Sequence, residues 1–179
     1  MTRTSWLQNR HIVLGVTGGI ACYKACELTR ELGRRGALVE IVMTEAATAF
    51  VSPLTFQALT NREVRISVLD AKAEAGMSHI ELARWADLIL IAPCTANTLA
   101  QLASGQASDL LTTLWTASEC DKAIAPSMNQ QMWKHLQTQE NLALLIDVGV
   151  AVIGPDSGIQ ACGDIGSGRM TEPMEVVNT

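Results

Sequence analysis

The sequence predicts an α/β fold: a doubly wound, Rossmann- or flavodoxin-like, mostly parallel sheet with helices on both faces. Three observations carry this. Apolar runs of strand length recur, namely HIVLGV at His11–Val16, ALVEIVM at Ala37–Met43, DLILIA at Asp87–Ala92 and DKAIA at Asp121–Ala125. Between them lie stretches whose apolar residues return every three or four positions, the period of a helix with one buried face. The first two runs and the segment joining them read as strand, glycine turn, helix, strand, and a crossover of that kind joins parallel strands. The chain has 179 residues, 48% hydrophobic and 17% charged. That suits one domain, residues 1–179, with a sizeable core, and argues against disorder.

The first strand ends in Thr17-Gly18-Gly19, and a helix is expected from Ile20 to about Arg35 with Ala21, Ala25, Leu28 and Leu32 on one face. Gly36 closes it as a left-handed cap would. A glycine turn opening a helix suits an anion, because unpaired backbone N–H groups and the helix dipole point outward there. The turn matches neither the dinucleotide fingerprint nor the P-loop, so the signal is generic. Cys22 and Cys26 stand four apart, but no second Cys/His pair accompanies them. They read as small buried hydrophobes rather than metal ligands, and no metal site is expected.

After the second strand, which ends at Thr44, residues 46–59 read as one or two short helices broken near Ser52-Pro53. Residues 61–75 read as an irregular excursion with extended pieces. Ser78 and Glu81 have the spacing of a capping box, which places His79 in the first turn of a short helix. On that ground alone His79 is a cap or surface residue. The third strand runs into Pro93-Cys94-Thr95-Ala96-Asn97-Thr98, followed by helices from about Leu99 to Ala103 and from Asp109 to Ser118. The fourth ends in Pro126-Ser127-Met128-Asn129 before a helix from Gln130 onward that carries Met132 and Trp133. Val148–Ile153 is expected as a last strand. The segment from Gly158 to Met170, with four glycines around Cys162, is expected as a mobile loop.

Thr17, Thr44, Thr95, Asn97, Thr98, Ser127 and Asn129 each follow directly after an expected strand. In a parallel sheet those strand ends share one edge, and ligands bind in the crevice there. Hydroxyls, amides and glycine N–H groups with few charges suit a neutral heterocycle carrying a phosphate. FMN and a flavin-free nucleotide both answer that description.

Other classes are excluded by composition. The longest apolar run, Leu88–Ala92, is far too short to span a membrane, and Met1–Trp6 lacks the apolar core of a signal peptide. Five cysteines without disulfide-like spacing fit a reducing, cytoplasmic setting. A formal charge of −5 without a Lys/Arg cluster argues against nucleic acid.

Taken in order, the Gly15–Lys24 turn, the HIELARWAD segment from His79 to Asp87, the Pro93–Thr98 block, PSMNQQMW from Pro126 to Trp133, and ACGDIGSGRM from Ala161 to Met170 followed by Glu172-Pro173 resemble the FMN-dependent cysteine decarboxylases. The resemblance covers about His11 to Pro173 and is greatest to the branch acting on phosphopantothenoylcysteine in coenzyme A synthesis. It departs at Thr95, where the family usually has serine, and at Ser108, where asparagine is common. In the common bacterial form this domain is fused to a phosphopantothenate–cysteine ligase, so the resemblance implies a stand-alone enzyme or the excised N-terminal half of a bifunctional protein.

The resemblance implies FMN as cofactor and a small-molecule substrate, (R)-4′-phosphopantothenoyl-L-cysteine, carried through thioaldehyde and enethiolate stages to 4′-phosphopantetheine. It implies flavin contacts at Gly18, Gly19, Ile20, Thr44, Thr95, Ala96, Asn97, Thr98, Ser127 and Met128. His79 would be the base, Asn129 would hold the substrate carboxylate, Ala161 would add backbone to the substrate clamp, and Cys162 would be the acid. It further implies homotrimers or dodecamers of trimers with sites between protomers. Lys24 and Arg169 are candidates for the substrate phosphate by charge alone. Three related readings compete: a peptidyl-cysteine decarboxylase of lantibiotic type, which lacks a reducing cysteine loop of this kind; a non-catalytic regulatory relative, which commonly loses part of the catalytic set; and a flavin prenyltransferase, not expected to carry the Pro-x-Met-Asn block. A flavodoxin-type electron carrier would have no use for Cys162.

Overall fold

The computed structural model describes residues 6–68 and 78–179. Five parallel strands, β1 (His11–Val16), β2 (Leu38–Met43), β3 (Leu88–Cys94), β4 (Asp121–Pro126) and β5 (Ala151–Val152), form one sheet in the order β2-β1-β3-β4-β5. The chain leaves β1 toward one side and returns to β3 on the other. The connections therefore diverge above the carboxyl ends of β1 and β3, which opens a crevice at that switch point.

Side chains alternate across the pleat, so each strand feeds two cores. Ile12, Leu14, Val39, Ile41, Leu90, Ala92, Ala123 and Ala125 face one side, where α1 (Cys22–Arg34), α3 (Pro53–Thr60) and α9 (Pro173–Asn178) supply Leu28, Leu32, Phe56 and Val176. Val13, Val42, Ile89, Ile91 and Ile124 face the other. There α4 (His79–Trp85), α5 (Ala96–Ala103), α6 (Leu110–Ala117) and α8 (Leu136–Asp147) supply Leu82, Leu99, Leu111 and Leu145. Two short helices, α2 (Glu45–Thr48) and α7 (Gln130–Lys134), sit just after β2 and β4. A fully buried leucine contributes roughly 1.5–3 kcal/mol, which explains why the strand sequences are nearly continuous apolar runs. Gly15 stands where β1 passes under α6; a Cβ there would lie 2.6 Å from Leu111 Cδ1.

Capping chemistry sets several boundaries as expected. Ser78 Oγ accepts from Glu81 N at 3.2 Å while Ser78 N donates to Glu81 Oε2 at 2.8 Å. Gly36, at φ +88°, follows α1, and Ala37 N donates to Leu32 O behind it. Elsewhere the structure corrects the sequence reading. Helix α1 begins at Cys22, because residues 19–21 form a turn in which Cys22 N donates to Gly19 O at 3.0 Å. Helix α5 begins at Ala96, three residues early, because Thr95 Oγ1 accepts from Thr98 N and caps it. The helix after Gln130 breaks at His135, whose extended backbone and Nδ1, accepting from Gln137 N, start α8 afresh. The last strand shrinks to Ala151–Val152, since Val148 and Gly149 still belong to the end of α8. Helix α9 follows unannounced by any helical pattern. The excursion at 61–75 is extended near Arg65, which bridges Val42; residues 69–75, like the N-terminal Met1–Ser5, lie outside the described residues.

The largest correction concerns the glycine segment. It is a two-stranded antiparallel hairpin, β6 (Asp156–Ile159) and β7 (Ile165–Arg169), with a turn at 160–164. Tertiary docking overrides the weak strand propensity of glycine. Met128 N donates to Gly168 O at 2.9 Å, and a Cβ on Gly168, where φ is +135°, would sit 2.2 Å from Met128 O. The missing side chain is what lets the hairpin lie directly on the loop after β4.

Candidate active site at the switch point

A cavity of about 1100 Å³ opens over the carboxyl ends of β1, β3 and β4. That is slightly above the ~300–1,000 Å³ range of small-molecule pockets. Its floor comes from Gly18, Gly19 and Ile20 after β1, Thr44 and Ala46 after β2, and Thr95, Ala96, Asn97 and Thr98 at the start of α5. Ser127, Met128 and Asn129 after β4 form one wall, and Ala161 and Cys162 of the hairpin turn form the lid. The candidate residues named above therefore converge on one cavity with two exceptions. Thr17 lies beneath it, and His79, in the first turn of α4, does not line it.

The crevice is braced by Thr17, which is buried beneath it. Its Oγ1 donates to Pro93 O at 2.7 Å and accepts from Thr95 N at 3.1 Å, tying the end of β1 to the end of β3. The two adjacent glycines do different work. A Cβ on Gly18 would meet Ala46 Cβ at 2.6 Å and its carbonyl carbon at 2.8 Å, so Gly18 is demanded by the approach of α2. A Cβ on Gly19 would meet only Thr95 Cγ2, at 3.6 Å.

Polar groups in the cavity wait for a partner. Thr44 Oγ1 is the one buried side-chain oxygen or nitrogen among the described residues without a hydrogen bond. A buried hydroxyl left unpaired costs about 1–3 kcal/mol, so it marks a place where a ligand atom belongs. With Thr98 N taken by the Thr95 cap, Ala96 N and Asn97 N at the start of α5 have no acceptor within the helix and are a suitable seat for an anion.

Asn129 and Cys162 come together at the mouth. Asn129 caps α7, its Oδ1 accepting from Gln131 N at 2.8 Å. That bond fixes the amide so that Nδ2 faces the hairpin, 3.5 Å from Cys162 Sγ, 3.4 Å from Asp164 Oδ2 and 3.4 Å from Gln160 Oε1. Cys162 is exposed, whereas Cys22, Cys26 and Cys94 have their thiols pushed up by burial; Cys94, fully enclosed, is pushed furthest. Among these, Cys162 is the one an incoming molecule meets.

Lys24 lines the cavity, but its charge already has partners. It is 6% exposed, and its Nζ donates to Met170 O and Glu172 Oε1, both at 2.7 Å. It fastens α1 to the strand leaving the hairpin. Arg169 lies 3.6 Å from the same Glu172 and lines the cavity half-exposed. Residues that sequence reasoning passed over include Gln160, and Gln101, whose Oε1 accepts from Asn97 and whose Nε2 donates to Ser108 Oγ at 2.9 Å along the rim. Amides of this kind carry no sequence signature; only their neighbours reveal them.

Comparison with known proteins agrees with this fold. The chain is 57% identical over 171 residues to the coenzyme A biosynthesis bifunctional protein CoaBC of Vibrio cholerae, covering 96% of this chain and 43% of that protein. It is 52% identical to the Escherichia coli protein of the same name, with 96% and 42% covered. The chain thus spans less than half the length of these relatives. Among solved structures, a cysteine-to-serine mutant of PPC decarboxylase complexed with pantothenoylaminoethenethiol is 31% identical, with a TM-score of 0.84 over 96% of both chains. The FMN binding protein AtHal3 is also 31% identical, with a TM-score of 0.80 over 96% of this chain and 94% of that one. The family model described as Flavoprotein matches residues 2–179, nearly every position from β1 to α9, and the chain belongs to that family.

Proposed function

We propose that residues 1–179 form one FMN-binding domain that decarboxylates (R)-4′-phosphopantothenoyl-L-cysteine to 4′-phosphopantetheine in coenzyme A biosynthesis. The observation that carries this reading is the Asn129–Cys162 pair, 3.5 Å apart at the mouth of the switch-point cavity. FMN suits the floor beneath: Gly18, Gly19 and Ile20 offer turn backbone, Thr44 an unpaired hydroxyl, and Thr95–Thr98 a helix start for the phosphate. When bound, FMN supplies the two-electron acceptor and donor that lets the thiol-bearing carbon become a thioaldehyde and later be reduced.

The chain's own residues then divide the remaining work. Asn129 Nδ2 donates to the substrate carboxylate. A neutral amide orients that group without the strong stabilisation a fixed cation would give the charge that must be lost. When CO2 leaves, its bonding electrons stay on the substrate as an enethiolate. The Cys162 S–H, reaching in from the hairpin, gives the proton that completes the saturated thiol. Ala161 contributes backbone to the clamp over the substrate.

His79 lies outside the cavity of its own chain, so in this reading it acts as base in the site of a neighbouring copy. Ile20 and Tyr23 line the cavity yet are 64% and 62% exposed, an apolar edge that such a neighbour would cover. In keeping with the family resemblance, the assembly in this reading is a homotrimer, alone or stacked into a dodecamer, in the cytoplasm, with the ligase that makes the substrate either fused or separate. The test is to load the purified protein with FMN, supply phosphopantothenoylcysteine, and follow products by mass and assembly by light scattering. Phosphopantetheine release from a trimer or larger form supports the reading. A yellow protein inert toward this substrate but active on a C-terminal cysteinyl peptide would move the assignment to peptide decarboxylation, and failure to bind FMN would sink both.

A further inference from the structure

We propose that Gln160 is a positioning residue for this chemistry, one that sets Cys162 against Asn129 by locking the hairpin turn to the loop after β4; the inference rests on the decarboxylase reading above. Gln160 commits both ends of its amide. Its Nε2 donates to Met128 O at 3.2 Å and Ser167 O at 3.4 Å, and its Oε1 accepts from Gln130 N at 3.0 Å and Asn129 Nδ2 at 3.4 Å. Its backbone closes the turn that carries Cys162, with Gln160 N donating to Asp164 O at 2.7 Å and Gly163 N donating to Gln160 O at 2.9 Å.

The surroundings are cleared for that amide. A Cβ on Gly168 would lie 2.8 Å from Gln160 Nε2, and one on Gly166 would lie 2.2 Å from Gln130 Oε1. Two glycines of the segment thus make room for one side chain and its neighbour. The consequence reaches Asn129 directly. With Oδ1 held by Gln131 N and Nδ2 shared among Gln160, Cys162 and Asp164, the amide that would hold the substrate carboxylate is aligned by Gln160 from one side. The Gln160 side chain therefore meets Asn129, while its backbone closes the turn that carries Cys162. The arrangement needs a donor and an acceptor at the end of a two-methylene arm.

Gln160→Leu keeps the approximate volume and deletes every polar contact of the side chain. Misplacing a reacting group by about 1 Å costs on the order of 10²-fold in rate. The step that suffers is the last, where Cys162 delivers its proton, so the variant releases enethiol in place of saturated thiol and approaches the product pattern of Cys162→Ser. A side chain that only stabilises the fold would lower total turnover and leave the ratio of the two products as in the wild type. Gln160→Glu keeps the acceptor and loses the donor, and its product ratio returns toward wild type as lower pH protonates the carboxyl and restores a donor. In flavin-free protein without substrate, iodoacetamide labels Cys162 several-fold faster in Gln160→Leu than in the wild type, because the turn is no longer fastened. Unchanged product ratio together with unchanged labelling in folded Gln160→Leu protein overturns the proposal. A wild type that makes neither product overturns the decarboxylase reading instead, and the labelling rates still decide whether Gln160 holds Cys162.

Discussion

Gly18 and Gly19 adjoin in sequence and in the cavity floor, yet the structure assigns them opposite tolerance. Neither has a left-handed backbone, so available space decides. In Gly18→Ala the new methyl would lie 2.6 Å from Ala46 Cβ and 2.8 Å from its carbonyl carbon. Ordinary carbon contacts need ~3.5–4.0 Å, so the loop after β1 and the start of α2 must part by about 1 Å. Because backbone is involved, rotamer changes cannot relieve it, and overpacking of this kind costs about 1–3 kcal/mol. Alanine returns about 0.4–1 kcal/mol by restricting the unfolded chain. The net loss is roughly 0–2.6 kcal/mol, and melting falls by roughly 2–4 °C per kcal/mol lost in a domain of this size. Gly19→Ala meets only Thr95 Cγ2 at 3.6 Å, so the unfolded-state gain prevails and melting stays level or rises. The same displacement separates Gly18–Gly19 from Thr44, so FMN affinity falls at least about tenfold in Gly18→Ala, the equivalent of about 1.4 kcal/mol. Thermal melts of flavin-free protein and flavin fluorescence titration measure both effects. Equal melting and equal FMN affinity in Gly18→Ala and the wild type would refute the argument.

Further expectations follow from the same geometry. Lys24→Met removes the donor to Met170 O and Glu172 and destabilises the fold by about 2 kcal/mol, seen as a lower urea midpoint. Its KM for substrate should not rise, and a large selective rise would restore Lys24 as a phosphate ligand. Asn129→Asp keeps the α7 cap but sets a negative charge against the substrate carboxylate and Asp164, so turnover drops by on the order of 10²-fold with FMN binding intact; near-normal turnover would remove Asn129 from substrate binding. Cys162→Ser accumulates a product two hydrogens lighter than phosphopantetheine, detectable by mass. The buried thiols of Cys22 and Cys94 are pushed up by burial. Above about pH 8.5 the unfolded chain gives up thiol protons that the folded chain keeps, so this contribution is complete below that pH and is lost above it. Urea midpoints at neutral and alkaline pH should show the loss, and it should shrink in Cys94→Ala.

The sequence by itself determined the layered α/β order. Strands buried on both faces must be apolar throughout, and His11–Val16, Ala37–Met43 and Asp87–Ala92 advertise that within six or seven residues. It also shows which residues share the crevice edge of the sheet, because Thr44, Thr95 and Ser127 stand at strand ends whatever the details of packing. Capping at Ser78 and the stop at Gly36 were legible for the same reason: their partners lie within a few residues. Only the tertiary structure decided the rest. Gly158–Met170 looks like loose chain until Met128, Asn129 and Gln130, more than twenty residues earlier in sequence, supply hydrogen bonds to it. Lys24 looks like a surface cation until Met170 and Glu172, more than a hundred residues later, enclose it. Gly18 and Gly19 look alike until α2 arrives over one of them. Local signals are written in short-range spacing; contacts between distant segments exist only once the cores on the two faces of the sheet have closed and fixed which loops meet.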